Sequence, residues 1–341
     1  MDKKNRIRIF ELSMIIVFFM LFSNCNEPDP ITPTPNSNLP ILITSPVTLV
    51  TQTRAKSGGE IHSDAGQLII NKGICWATSL NPDIDNNPKI YVGIGKNDFS
   101  CSFSKLLPNT TYYVRAFAIN DSGTGYGKNI SFKTNSIING NGVTDIDGNK
   151  YKSIIIEDQE WLTENLKTTK LNDASPILLQ TDNSLWLELD IPGYCWYDND
   201  ETQNKNLYGA LYNWFVINTG KLCPIGWHVP DNTDWETLVD YVGTDVAGGV
   251  LKETGTTHWA IPNQGANNLS LFTALPGGER DANCSGNFLY QQYQGFWWSS
   301  DHEGSGSNVA YNLVLRWDTC FSRIYKHHKT SGLNVRCIKN D

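Results

Sequence analysis

VTDIDGNKYKS (143–153), QEWLTENLKT (159–168), YGALYNWF (208–215), LCPIGWHVPDNTDWETL (222–238), FTALPGGER (272–280), FWWSS (296–300) and GLNVRCIK (332–339) follow one another along the C-terminal part of the chain. Asp147-Gly148-Asn149 supplies turn chemistry for a hairpin over 144–156, and 160–166 continues as a strand. Leu207, Leu211 and Trp214, at i, i+4 and i+7, predict one helix. A second is bounded at both ends. Asp231 caps it, Asp234 follows three residues on, Trp235, Leu238, Val239 and Val242 make its apolar stripe, and Gly243 stops it. A third, over 246–253, is weakened by Gly248 and Gly249. From there strands are expected at 269–275, 287–293, 296–299, 309–317, 320–325 and 332–338. Helices first and antiparallel strands later is an α+β order.

In kind and in order these strings resemble the Fibrobacter succinogenes major paralogous (FISUMP) domain of bacterial envelope lipoproteins, over 143–341. The resemblance implies a C-type lectin-like fold whose ligand surface is built from long irregular loops, here 172–206 and 254–268. That fold brings early and late segments together, which implies a disulfide between Cys223 and Cys337. Cys284 with Cys320, and Cys75 with Cys101, are either further bridges or buried free thiols. The calcium-dependent sugar motifs of lectins are not carried over. Ile261-Pro262-Asn263 has Ile where a carboxylate or amide is needed, and Trp317-Asp318 lacks the Asn between them.

Residues 41–135 read as an all-β sandwich, with short β-rich runs at 67–70, 89–92 and 111–118 separated by Gly, Asn, Asp and Pro. LLPNTTYYVRAFA (106–118) is similar to the fibronectin type III pattern before its sixth strand. Tyr112, Val114, Ala116 and Ala118 share one face, Tyr112 is the expected tyrosine-corner residue, and Trp76 the expected core tryptophan. The fold class is therefore multidomain: a fibronectin III-like sandwich, then an α+β C-type lectin-like domain, joined by a linker at 136–142.

The N-terminus reads as a targeting segment. Lys3, Lys4, Arg6 and Arg8 precede an apolar run at 12–22, which ends beside Cys25. A lone Cys there resembles a bacterial lipobox, so 1–24 is expected to be a signal peptide and Cys25 the lipidated residue. Residues 25–40 hold five prolines and form a tether. The expected address is the cell envelope, anchored to the outer membrane and surface-exposed. Loss of 1–24 removes four positive and two negative charges, taking the net charge from −8 to −10. An acidic chain of this kind argues against nucleic acid as a partner.

No catalytic set emerges, no cofactor loop is present, and the six histidines form no metal motif. His228 reads as a core or turn histidine, and Glu279-Arg280 as a buried ion pair holding its loop. Most tryptophans sit on apolar faces. Trp186, Trp196, Tyr197 and Trp259 lie in irregular polar stretches and are the candidate ligand platform, since exposed rings stack on sugar faces. The expected function is non-catalytic recognition or adhesion, with a glycan or protein ligand. Two alternatives are docking to another envelope protein and a polysaccharide-active enzyme, for which Glu188 and Asp190 are the available carboxylates.

Overall fold

The computed structural model describes residues 38–282 and 285–340, so Cys25, Cys284 and the targeting segment lie outside it. Strands Ile41–Thr44, Ala55–Ser63 and Phe99–Phe103 form one antiparallel sheet in that order. The facing sheet runs Lys89–Gly93, Asn71–Ala77, Thr111–Asn120 and Gly123–Tyr126, with Ile130–Lys133 also paired to Thr111–Asn120. Alternation along Thr111–Asn120 buries Tyr112, Val114, Ala116 and Ala118 between the sheets. Trp76 packs on Phe103 with ring centroids 4.9 Å apart. The Tyr112 hydroxyl accepts from Leu107 N at 3.0 Å, which closes a tyrosine corner. The run at 67–70 is not a strand. Gly66 turns the chain at φ 76°, and Ile69 alone is buried while Leu68 and Ile70 face solvent. Cys75 and Cys101 are not bridged. Ile74 and Trp76 face the core, so Cys75 points outward to Pro82 O, away from the sheet that carries Cys101.

The C-terminal half closes on itself. Its main sheet runs Trp227–His228, Ile338–Lys339, Gln159–Leu162, Ser153–Ile156 and Ile138–Asn139. The last described strand thus lies inside the sheet, between Trp227–His228 and the early strand Gln159–Leu162. Cys223 and Cys337 are disulfide-bonded beside it. Ile138–Asn139 falls in the stretch expected to be a linker, yet it pairs with Ile155 and Ile154 as the sheet's edge. A second sheet is the meander Gln294–His302, Val309–Arg316, Ser322–His328. Helix Asn232–Val242 has the expected capping box, with Asp231 accepting from Asp234 N and Asp234 from Asp231 N. It lays Trp235 on Trp161 at 4.7 Å, within a core shared with Trp297, Leu313 and Ile338.

Several local expectations fail here. No helix spans 207–214: Gly209 takes φ 76°, Leu211–Tyr212 is a strand paired to Tyr194 and Cys195, and only Trp214–Ile217 is helical. Residues 269–275 form irregular chain with a single bridge, Ala274 to Lys252, and of 287–293 only Phe288–Leu289 is a strand.

The two halves meet at a hairpin tip, and Lys105 adds contacts to Thr244 and Asp240 beside it. Glu157 Oε1 accepts from Thr53 N (2.7 Å), Thr53 Oγ1 (2.6 Å) and Thr51 Oγ1 (2.8 Å). Gln52 donates to Ile155 O and accepts from Glu157 N, and Arg54 stacks over Tyr241 at 4.8 Å. Among the described residues no helix is long and apolar enough to cross a membrane.

Candidate functional site

The expected aromatic platform is not at the surface. Trp186, Trp196, Tyr197 and Trp259 are 0%, 2%, 9% and 1% exposed. Each is an anchor for the irregular chain around it. Trp186 lies under the Arg280 guanidinium at 4.5 Å, Tyr197 packs on Phe288, Trp196 meets Tyr194 edge-on, and Trp259 Nε1 donates to Ala274 O. Long loops without regular hydrogen bonding need such apolar pins, and large aromatics supply them.

Arg280 is not paired with Glu279 either. On a strand, neighbours face opposite ways. Arg280 is fully buried and donates to Gly286 O, Gln180 O, Thr181 O and Asn183 Oδ1. Glu279 turns to the other side, towards the meander. Gly278, at φ 67°, sets that turn; a Cβ there would lie 2.5 Å from Leu289 O.

The meander's register puts Gln294 and Phe296 opposite Arg316 and Val314, and Asn312 and Ala310 opposite Tyr325 and His327. All project to one face by the period of two. At one end Phe296, Val314 and Ala310 join the core around Trp298. At the other end the face opens into a cleft of about 260 Å³, floored by Phe296 and Val314 and walled by Tyr290, Tyr325, Gln294, Arg316, Glu279 and His327. Tyr290 and Tyr325 are 46% and 41% exposed, among the few large rings that reach solvent.

The cleft's polar groups are mostly pre-set. His327 Nε2 lies 3.2 Å from Glu279 Oε2. Asn312 Nδ2 lies 2.7 Å from His327 Nδ1 and also donates to Tyr325 O, which fixes its amide as donor. His327 Nδ1 is therefore an acceptor, and its proton sits on Nε2, facing Glu279. Arg316 holds Asp318 through two hydrogen bonds of 2.9 and 2.6 Å, and these keep the Asp318 carboxyl below the usual range. Behind this strand the buried Lys252 ammonium donates to Arg316 O, Thr319 O and Gln264 O. Burial pulls its pKa down to about 8. Arg323 donates to the Tyr325 hydroxyl at 2.9 Å.

A larger, polar cleft of about 590 Å³ lies by the hairpin tip, lined by Asp158, His228, Asp231, Asp234 and Tyr241. His228 is exposed at the sheet edge and is not a core residue. It contacts Asp234 Oδ2 at 3.1 Å and Asn340 Oδ1 at 2.8 Å. The hydrogen bond to Asp234 raises its pKa above the ordinary value. Glu188 and Asp190 line neither cleft. Asn263 is buried and committed to Glu253 O and Gly255 O. Among the described residues no three His, Cys, Asp or Glu side chains gather as a metal site. Cys320 is a free thiol.

The Fibrobacter succinogenes major domain family matches residues 154–339, more than half of the 341-residue chain, and the chain belongs to that family. The cleft lies wholly inside the matched span. No curated protein matches the chain. Among solved structures it is similar to a myokine (20% identity, 29% of this chain and 97% of that one, TM-score 0.22). It is also similar to the sensor domain of the anti-sigma factor RsgI4 in Pseudobacteroides cellulosolvens (21% identity, 28% and 94%, TM-score 0.23). A third is the third fibronectin III domain of human KIAA0343 protein (17% identity, 32% and 94%, TM-score 0.21).

Proposed function

We propose that this protein is a non-catalytic recognition protein of the cell envelope, with a glycan or protein ligand. In this reading a lipid on Cys25 and the Pro-rich tether hold it to the outer membrane. The fibronectin III-like sandwich then presents a C-type lectin-like domain outward. The observation that carries the proposal is the cleft walled by Tyr290 and Tyr325. It joins exposed rings, an apolar floor and fixed polar groups on a rigid sheet, the composition of a ligand site. Among the described residues Glu279 is the one carboxylate lining it, whereas glycoside hydrolysis uses two. The address is supported by the basic and apolar N-terminus, and a disulfide such as Cys223–Cys337 suits an oxidising compartment.

A second reading, docking to another envelope protein, is favoured by the edge strand Lys89–Gly93. It leaves Tyr91 and Val92, with the adjacent Ile94, exposed beside an unpaired sheet edge. The test is retention of the full chain, in detergent, on immobilised polysaccharides, matrix proteins and whole cells, with released products assayed in parallel. Retention without product release is expected. Saccharide release would overturn the non-catalytic reading, and one stoichiometric crosslinked envelope partner would favour the second.

A further inference from the structure

Resting on that reading, we propose that the Tyr290–Tyr325 cleft seats a single neutral pyranose residue of a polysaccharide, without a metal ion. Glu279 carries the argument. It is 6% exposed and lines the cleft, and its Oε2 faces the His327 Nε2 proton. Its other oxygen, Oε1, has no hydrogen bond from the described residues and is not shut off from solvent. An acceptor that opens on the cleft takes its hydrogen bond from water until a ligand's donor replaces it. Sugar hydroxyls are such donors. The C–H face of the same ring meets Phe296 and Val314 below and the tyrosine rings at the rim.

Charge narrows the class. A uronic or sialic acid would bring a second carboxylate against Glu279, and like charges in a desolvated site repel strongly. An amino sugar would gain Glu279 but would sit beside the Arg323 guanidinium at the Tyr325 hydroxyl. Arg316 adds little net field because Asp318 offsets it. A neutral ring meets neither penalty. Size narrows it further. About 260 Å³ is at or below the small end of ligand sites, about 300–1,000 Å³, so one ring fits and several do not. The exposed rim lets the rest of a chain leave the site. Metal coordination is not required, because Glu279, Gln294 and the tyrosine hydroxyls supply the hydrogen-bonding groups themselves.

The test is calorimetric titration of the full chain, in detergent, with neutral, uronic and amino-sugar oligosaccharides, in calcium and in EDTA. Binding of the neutral series alone, equal in both buffers, is expected. Tyr290→Ala, Tyr325→Ala and Glu279→Gln should each weaken Kd about tenfold. Tyr290→Phe, which keeps the ring, should stay within about threefold. Tyr290 is exposed, so its variants leave the fold intact even where Glu279→Gln perturbs it. Preference for acidic or amino sugars, loss in EDTA, or neutral binding unmoved by both tyrosine variants would overturn the inference while leaving a recognition function standing. So would protein binding with no saccharide binding. Retention on no polysaccharide, matrix protein or cell would remove the functional reading as well.

Discussion

Replacing both Cys223 and Cys337 by Ala tests how the C-terminal domain is closed. The two cysteines are 114 positions apart, 2% and 0% exposed, and bonded next to the interior strand Ile338–Lys339. In the chain-entropy model, a loop of about 115 residues contributes about 5 kcal/mol by restricting the unfolded chain. Deleting two buried sulfurs adds about 1 kcal/mol of lost packing. The expected loss is about 4–6 kcal/mol, a large share of a typical total of about 5–15 kcal/mol. Urea unfolding followed by tryptophan fluorescence is the assay. Ten of the eleven tryptophans lie after residue 143, so the signal reports this domain. Trp227 pairs with Lys339 and should respond first as the terminal strand loosens. A loss below about 1.5 kcal/mol, with an unchanged cooperative transition, would refute the idea that this bridge staples the domain shut.

Three further perturbations test other parts of the structure. Glu157→Ala removes three hydrogen bonds that clasp Thr51 and Thr53, and should cost about 2–3 kcal/mol. It should also split calorimetric unfolding into two transitions; one unshifted transition would deny the clasp. Asp234 raises the pKa of His228, so the ion pair's contribution is complete below the unfolded value near about 6.5 and is lost as pH rises through the folded value. At this half-exposed site it is worth less than about 1 kcal/mol, and His228→Asn should abolish the slope in a pH series of melting curves. Lys252 has the opposite sign. Its folded pKa is about 8. Between that and the unfolded value near about 10.4, the unfolded state binds more protons and stability rises with pH. Lys252→Met should remove that rise. It should also cost about 2–4 kcal/mol at neutral pH, because three carbonyls lose their donor.

What the sequence reveals depends on how local the physics is. Helix Asn232–Val242 is legible because its cap, stripe and stop lie within a dozen residues. Strands Thr111–Asn120 and Val309–Arg316 are legible from alternation and composition. The failures are non-local. Leu207, Leu211 and Trp214 have helical spacing, but pairing of Leu211 with Cys195 and a left-handed Gly209 override it. Trp186 looks solvated among polar neighbours, yet its true neighbour is Arg280, nearly a hundred residues on. The cleft is assembled from Glu279, Tyr290, Phe296, Tyr325 and His327, which only strand pairing brings together. The one local signal was the alternation Arg323, Tyr325, His327, which puts three polar or aromatic side chains on one face of Ser322–His328.

The most direct measurement is tyrosine-selective chemical labelling of the full chain with and without bound ligand, read by peptide mass mapping. Tyr290 and Tyr325 are exposed in the cleft, and Tyr91, 48% exposed on the sandwich, is the internal control. Ligand should protect Tyr290 and Tyr325 several-fold and leave Tyr91 unchanged. Protection of Tyr91 with free labelling of Tyr290 and Tyr325 would move the binding surface to the N-terminal sandwich and contradict a recognition cleft on the C-terminal meander.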